Sequence, residues 1–243
     1  MDIKKQTELI FEPILLPQDY KFELPENVEE IFINVASEVN LNGLYHKTTK
    51  SPLLLLYFQG NAKNMQNFLD NHSMILDWGY NVLVTDYRGF GKSTGMIDGE
   101  QNMYNDAEQI YDYALQLGYR PEDIILYGYS MGTSMAAYLA TKKDAKALIL
   151  ESPYSSIAEI DIFGNQAPAY QLNTAARADE ITIPTLLIHG EQDDVLPPDH
   201  SERIFANLQT QEKEMTVISK GGHGDLKSRS EYKESFNRFI SNL

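Results

Sequence analysis

The sequence predicts one α/β domain: a mostly parallel central sheet with helices on both faces and a short cap. Three observations predict it. Six apolar runs recur along the chain, helix-compatible stretches separate them, and 243 residues suit a single domain of this class. Strands covered on both faces read as continuous apolar runs, which is the signature of a parallel sheet between helical layers.

Residues 8 to 45 read as short extended pieces: Thr7 to Phe11, Glu30 to Val35 and Val39 to Tyr45, the last with apolar alternation. They suggest an antiparallel meander at one sheet edge. The runs Leu53 to Phe58, Asn81 to Tyr87, Ile124 to Tyr127, Ala147 to Leu150, Thr185 to Ile188 and Met215 to Ile218 supply the parallel strands. Helices fit near 64 to 77, 100 to 117, 131 to 142, 199 to 208 and 229 to 241. In the second of these, Met103, Ala107, Ile110, Tyr111, Ala114 and Leu117 recur at helical spacing, with Gly118 just past the end. The interval 152 to 180 holds two prolines and no clear strand, and reads as a cap over a site.

Composition narrows the function. A formal charge of −15 repels phosphate backbones and anionic lipid, which argues against nucleic acid as a partner. The longest apolar run, Leu53 to Phe58, is too short to cross a bilayer. The first thirty residues carry charge every few positions and no secretory apolar core, so a cytoplasmic protein is expected. The chain has no cysteine, which removes disulfides, a thiol nucleophile and thiolate metal sites. No metal or other cofactor is implied.

The most informative segment is Gly128-Tyr129-Ser130-Met131-Gly132, which follows one apolar run and precedes a helix-compatible stretch. A serine between glycines on a tight strand-to-helix turn presents its hydroxyl as a nucleophile. It needs a base, an orienting acid and an oxyanion hole. Of five histidines, His223 lies in the glycine-rich loop Lys220 to Gly224, directly after the last apolar run, and is the candidate base. His189 ends a buried strand and reads as a core or turn histidine; His46, His72 and His200 sit among polar neighbours and read as solvated. Asp193, in the loop after the penultimate strand, is preferred over Asp194 as the acid. Met131, at a helix start where N–H groups lack partners, supplies one oxyanion donor, and the Asn61 N–H after the first long strand supplies the other. The order Ser130, Asp193, His223 is that of the α/β-hydrolases.

Four motifs therefore make the chain resemble an α/β-hydrolase fold serine hydrolase. They are Gln59-Gly60-Asn61-Ala62, Asp86 to Ser93, the serine turn with Glu151-Ser152-Pro153-Tyr154, and His189 to Asp193 with Gly222-His223. The likeness is to the small-lid branch of depalmitoylases and monoacylglycerol or lysophospholipid lipases. Such relatives usually have His where this chain has Gln59, a change that should alter the anchoring of the loop but not its N–H groups. They often carry an N-terminal membrane anchor, and none is visible here.

The resemblance implies cleavage of an acyl ester or thioester through an acyl-enzyme, with a small molecule as the partner. Tyr129 and Tyr154 are candidate substrate-binding residues. Tyr154, Ile157, Ile160, Ile162, Phe163 and Tyr170 are candidates for an acyl groove and read equally well as core beneath the cap. A cap this short predicts a shallow site for short or medium acyl chains. Three rivals stand beside this reading. A peptidase of the same fold would usually bring a larger cap or extra domains. A non-catalytic binder would usually lose a triad member. A phosphate-cradling loop at Gly91-Lys92-Ser93 would need glycine at position 86, where the chain has Asp86, so this segment is expected to be a structural turn tied down by Arg88 to nearby backbone.

Overall fold

In the computed structural model, residues 2–243 are described except 62, 161, 162, 164 and 165. The strands are Val28–Ala36 (β1), Val39–His46 (β2), Leu54–Phe58 (β3), Asn81–Thr85 (β4), Ile124–Tyr129 (β5), Ala147–Glu151 (β6), Thr185–Gly190 (β7) and Lys213–Ile218 (β8). They form one sheet in the order β1-β2-β4-β3-β5-β6-β7-β8. The first two pairings, β1 with β2 and β2 with β4, are antiparallel, and the others are parallel. The architecture is that of the α/β-hydrolase fold.

The helices are Ile3–Ile10 (α1), Met65–Asn71 (α2), Glu100–Gln116 (α3), Gly132–Ala140 (α4), Thr174–Arg177 (α5), Asp199–Asn207 (α6) and Ser230–Ser241 (α7). Successive strand side chains point to opposite faces, and the core divides accordingly. Leu54, Leu56 and Phe58 pack with Met103 and Ala107 of α3 and Met135 of α4. Leu55 and Tyr57 pack on the other face with Phe68 of α2 and with Tyr232 and Phe236 of α7. Both faces of β3, β4, β5, β6 and β7 are buried, which is why those strands lack polar alternation.

Two expectations need correction. Thr7 to Phe11 is not an extended edge piece but the end of α1 and the residue after it. Asp2 caps this helix by accepting from the Lys5 N–H at 2.9 Å, and Gln6 and Ile10, one turn apart, are its buried side chains. A three-residue apolar run such as Leu9-Ile10-Phe11 does not distinguish strand from helix by periodicity. Arg88 ties down a helix rather than backbone: its Nε and Nη2 donate to Asp106 of α3 at 2.7 and 2.6 Å. Lys92 is likewise structural, pairing with Glu30 at 2.6 Å and donating to the Tyr20 carbonyl at 3.1 Å.

The chain runs from β3 outward to β4 and then returns across β3 to β5. Where strand order reverses, the loops beyond the carboxyl ends separate and leave a crevice. The loops after β3 and β5, which carry Asn61 and Ser130, meet there.

Candidate active site

The turn from β5 into α4 is built by steric exclusion. Ser130 has φ +49°, a left-handed conformation unusual for a residue with a side chain. A Cβ at position 128 would lie 2.5 Å from the Thr133 Cα, and one at position 132 would lie 2.0 Å from the Phe58 carbonyl oxygen. Glycine at both positions lets α4 start hard against β3. The Ser130 N–H donates to the Glu151 carbonyl at 2.9 Å, and the Ser130 carbonyl accepts from the Thr133 N–H at 3.0 Å. The backbone is held, and the hydroxyl is left facing the crevice.

That hydroxyl lies 3.0 Å from His223 Nε2, and His223 Nδ1 lies 2.8 Å from Asp193 Oδ2. The other Asp193 oxygen accepts from the N–H groups of Val195 and Leu196 at 3.0 and 2.8 Å. Burial pushes the Asp193 carboxyl upward in pKa, but hydrogen bonds from His189 and His223 and from the Leu196 N–H outweigh it and hold the group below the ordinary carboxylate range. Asp194 is exposed. His189 sits fully buried behind the acid, with Nδ1 2.6 Å from the Ser201 hydroxyl, Nε2 2.7 Å from the Leu196 carbonyl and 3.3 Å from Asp193. It braces the loop that carries Asp193.

The loop after β3 carries Asn61 to the same cavity as Ser130 and Met131. Its side chain points back toward the N-terminal arm, where Nδ2 donates to the Ile10 carbonyl and Oδ1 accepts from the Glu12 N–H at 3.3 Å. Gln59 anchors the start of this loop from below. Its Nε2 donates to Asp86 Oδ1 at 2.7 Å and to the Thr85 carbonyl at 3.0 Å, while its own carbonyl accepts from Tyr87 at 2.5 Å. The second Asp86 oxygen accepts from the Met65 N–H at 2.9 Å. Burial raises Asp86 to about 7, against the lowering effect of those two donors. Ala62, the last residue of that motif, lies outside the described residues.

A cavity of about 550 Å³ opens above Ser130. Tyr129, Tyr154, Ile160 and Phe163 line it as candidates from the sequence. Ile157 and Tyr170 are instead buried core, and Ile162 lies outside the described residues. Tyr154 is held by the Ser134 hydroxyl, which donates to it at 2.8 Å. One wall has no precedent in the sequence reading: Leu9, Ile10 and Glu12 come from the N-terminal arm, with α1 fastened to the cap by a 2.5 Å contact between the Thr7 and Tyr170 hydroxyls. The short apolar run Leu9-Ile10-Phe11 carried no signal that would place it at a cavity.

Two histidines expected in solvent are buried. His200 is fixed by the Ser155 hydroxyl at 2.7 Å, and His72 reaches the cavity beneath α2. Charged residues along the chain hid this, because each histidine sits at a helix end whose inner face is buried. Also unforeseen is Lys227, whose ammonium pairs with Glu151 at 2.5 Å and lies 4.5 Å from the Tyr129 ring centroid. The same carboxylate accepts from the Tyr127 hydroxyl, so Lys227, Glu151 and Tyr127 form a buried polar cluster.

The comparisons with known proteins agree with this fold. A family model described as Hydrolase_4, serine aminopeptidase S33, matches residues 50–172 and 163–228. The chain belongs to this α/β-hydrolase family. Among relatives of this hydrolase is the human alpha/beta hydrolase domain-containing protein 17B, 32% identical over 165 residues, covering 66% of this chain and 56% of that one. A putative alpha/beta hydrolase, L404 of Acanthamoeba polyphaga mimivirus, is 30% identical over 234 residues, or 92% of this chain and 87% of its own. Among solved structures, the Pyrococcus furiosus esterase Pf2001 superposes with a TM-score of 0.77 at 18% identity, covering 96% of this chain and 99% of its own. Among the described residues, no helix is long and apolar enough to cross a membrane.

Proposed function

We propose that this hydrolase cleaves carboxylic esters or thioesters through a Ser130, His223, Asp193 triad and an acyl-enzyme. The observation that carries the reading is the unbroken line from Ser130 Oγ through both imidazole nitrogens to Asp193, opening onto a cavity. His223 takes the Ser130 proton as the hydroxyl attacks the acyl carbon, and then gives it to the departing alcohol or thiol. Water repeats the sequence in reverse to free the acid. Asp193 holds the imidazole tautomer and steadies the imidazolium. The N–H groups of Met131 and Asn61 stabilise the oxyanion in a cavity walled by protein, where such donors count for more than in water.

A fluorophosphonate probe should label the protein at Ser130 and lose all labelling in Ser130→Ala. Labelling that persists in this variant would assign the nucleophile elsewhere. The second reading is an aminopeptidase, favoured by the description of the family model and by Glu12, an acidic residue among those lining the cavity, which suits a substrate ammonium. Turnover of an aminoacyl p-nitroanilide above that of any p-nitrophenyl ester would select it.

A further inference from the structure

His223 sits in the loop 219–225, between β8 and the helical turn Leu226–Ser228, and this loop is tied to the rest of the fold on two sides. On one side it is bonded to the loop that carries Asp193. The Gln192 N–H donates to the Gly221 carbonyl at 2.8 Å, and the Glu191 carboxylate accepts from the Lys220 N–H at 3.2 Å. On the other side the His223 carbonyl accepts two long bonds, at 3.4 Å each, from the Tyr129 and Ser152 hydroxyls. The short tie on this side is Lys227, four residues on, whose ammonium meets the Glu151 carboxylate at 2.5 Å.

Glu151 is also where the serine turn is held. It ends β6 opposite Tyr129 of β5, and its carbonyl accepts from the Ser130 N–H at 2.9 Å. One residue thus meets Ser130 through its backbone and the loop that carries His223 through its side chain. The carboxylate accepts further from the hydroxyls of Tyr127 and, at 3.4 Å, Tyr232. The ammonium lies 4.5 Å from the ring centroid of Tyr129, the same tyrosine that donates to His223. The lysine side chain is 5% exposed and the glutamate 1%. Burial pulls Lys227 below the ordinary lysine pKa, and Glu151 opposes that pull. Taking both charges out of water offsets much of their attraction, so apolar residues of similar volume would serve stability as well. Such residues could not supply direction. The pair has one geometry, because the other partners of the carboxylate fix where the ammonium must lie.

We infer that Lys227 is a positioning residue of the hydrolytic reaction: by binding Glu151 it holds the loop of His223 in register with Ser130. This rests on the triad reading. The test variant combines Lys227→Met with Glu151→Gln, which removes both charges at nearly constant volume. Its urea midpoint should stay near that of the wild type. On p-nitrophenyl butyrate its kcat, per site titrated with a fluorophosphonate, should nonetheless fall about tenfold or more, with KM changed by no more than about twofold. A displaced imidazole slows the proton transfers and leaves the cavity walls untouched. Lys227→Met alone, assayed well below its own midpoint, gives the same comparison should the double variant not fold. A folded variant with wild-type kcat, or one altered in KM alone, overturns the inference and leaves Lys227 a purely structural residue. Wild-type protein that neither hydrolyses the ester nor takes up the fluorophosphonate overturns the triad reading itself, and the inference with it.

Discussion

The serine turn and the substrate walls sit within one cavity but are built in opposite ways. The turn occupies five consecutive residues, and its two glycines are dictated by close contacts, such as the 2.0 Å that a Cβ at Gly132 would leave to the Phe58 carbonyl. The walls draw on the N-terminal arm, α2, the cap and the loop that carries Asp193, positions as far apart as Leu9 and Leu196. Bond-making chemistry tolerates little displacement and is encoded locally, where backbone geometry enforces it. Selectivity is spread over distant segments that can change one at a time.

The largest effect should come from breaking the rigid half. Asp193→Asn should lower kcat about 10⁴-fold, as loss of the acid does in the serine protease template, while Asp194→Asn, at an exposed position, should cost far less. Steady-state kinetics on p-nitrophenyl butyrate decides between them, and the reverse ranking would move the acid to Asp194. Gly132→Ala should destabilise the fold by about 3 kcal/mol or abolish it, since helix and strand must part to admit a methyl group. Urea denaturation measures this, and a wild-type midpoint would mean the close approach of α4 to β3 is dispensable. Asn61→Ala tests where the two halves join: without its bonds to Ile10 and Glu12 the oxyanion loop loses its tie to the arm, and kcat should fall about tenfold with KM little changed. A pure KM effect would make Asn61 a wall residue instead.

The smallest and most graded effect belongs to the walls. Each buried methylene is worth about 0.8 kcal/mol, so kcat/KM on p-nitrophenyl esters should rise over short chains, peak at short or medium length and fall for palmitate. A peak at palmitate would mean that cap and arm enclose a longer groove.

This division also explains what could be read from the chain. The parallel strands were legible because burial on both faces leaves an uninterrupted apolar run, as in Ile124 to Tyr127. The site residues Ser130 and Asp193 stood out because each lies in a short loop after such a run, and His223 because of the glycine-rich loop around it; the structure brings the three into hydrogen-bonding distance. Leu9 and Ile10 were not legible as a cavity wall, since nothing local distinguishes a helix folded across a distant cap from a strand at a sheet edge. His72 was misplaced for a related reason: its neighbours in sequence are polar, but its neighbours in space are Tyr129 and the floor of the cavity. Lys227 shows the same limit, because a buried lysine is recognisable only once its carboxylate, Glu151, is found 2.5 Å away.

Asp86 couples folding of this protein to the uptake of a proton at its own carboxyl over part of the pH range. Its carboxyl titrates near 3.9 in an unfolded chain and about 7 in the native state. Between those values the folded protein holds a proton that the unfolded chain has released, so this group makes stability fall as pH rises from about 4 to about 7. Asp193 has the opposite sign. Its native pKa is depressed, so its contribution is present above about pH 4 and is lost as the solution is acidified below that. Asp86, beneath the loop after β3, and Asp193 thus favour opposite ends of the scale. Denaturation midpoints of wild type and Asp86→Asn at pH 5 and pH 8 would show the coupling as a gap between the two proteins that differs between the two pH values; an equal gap at both would remove it.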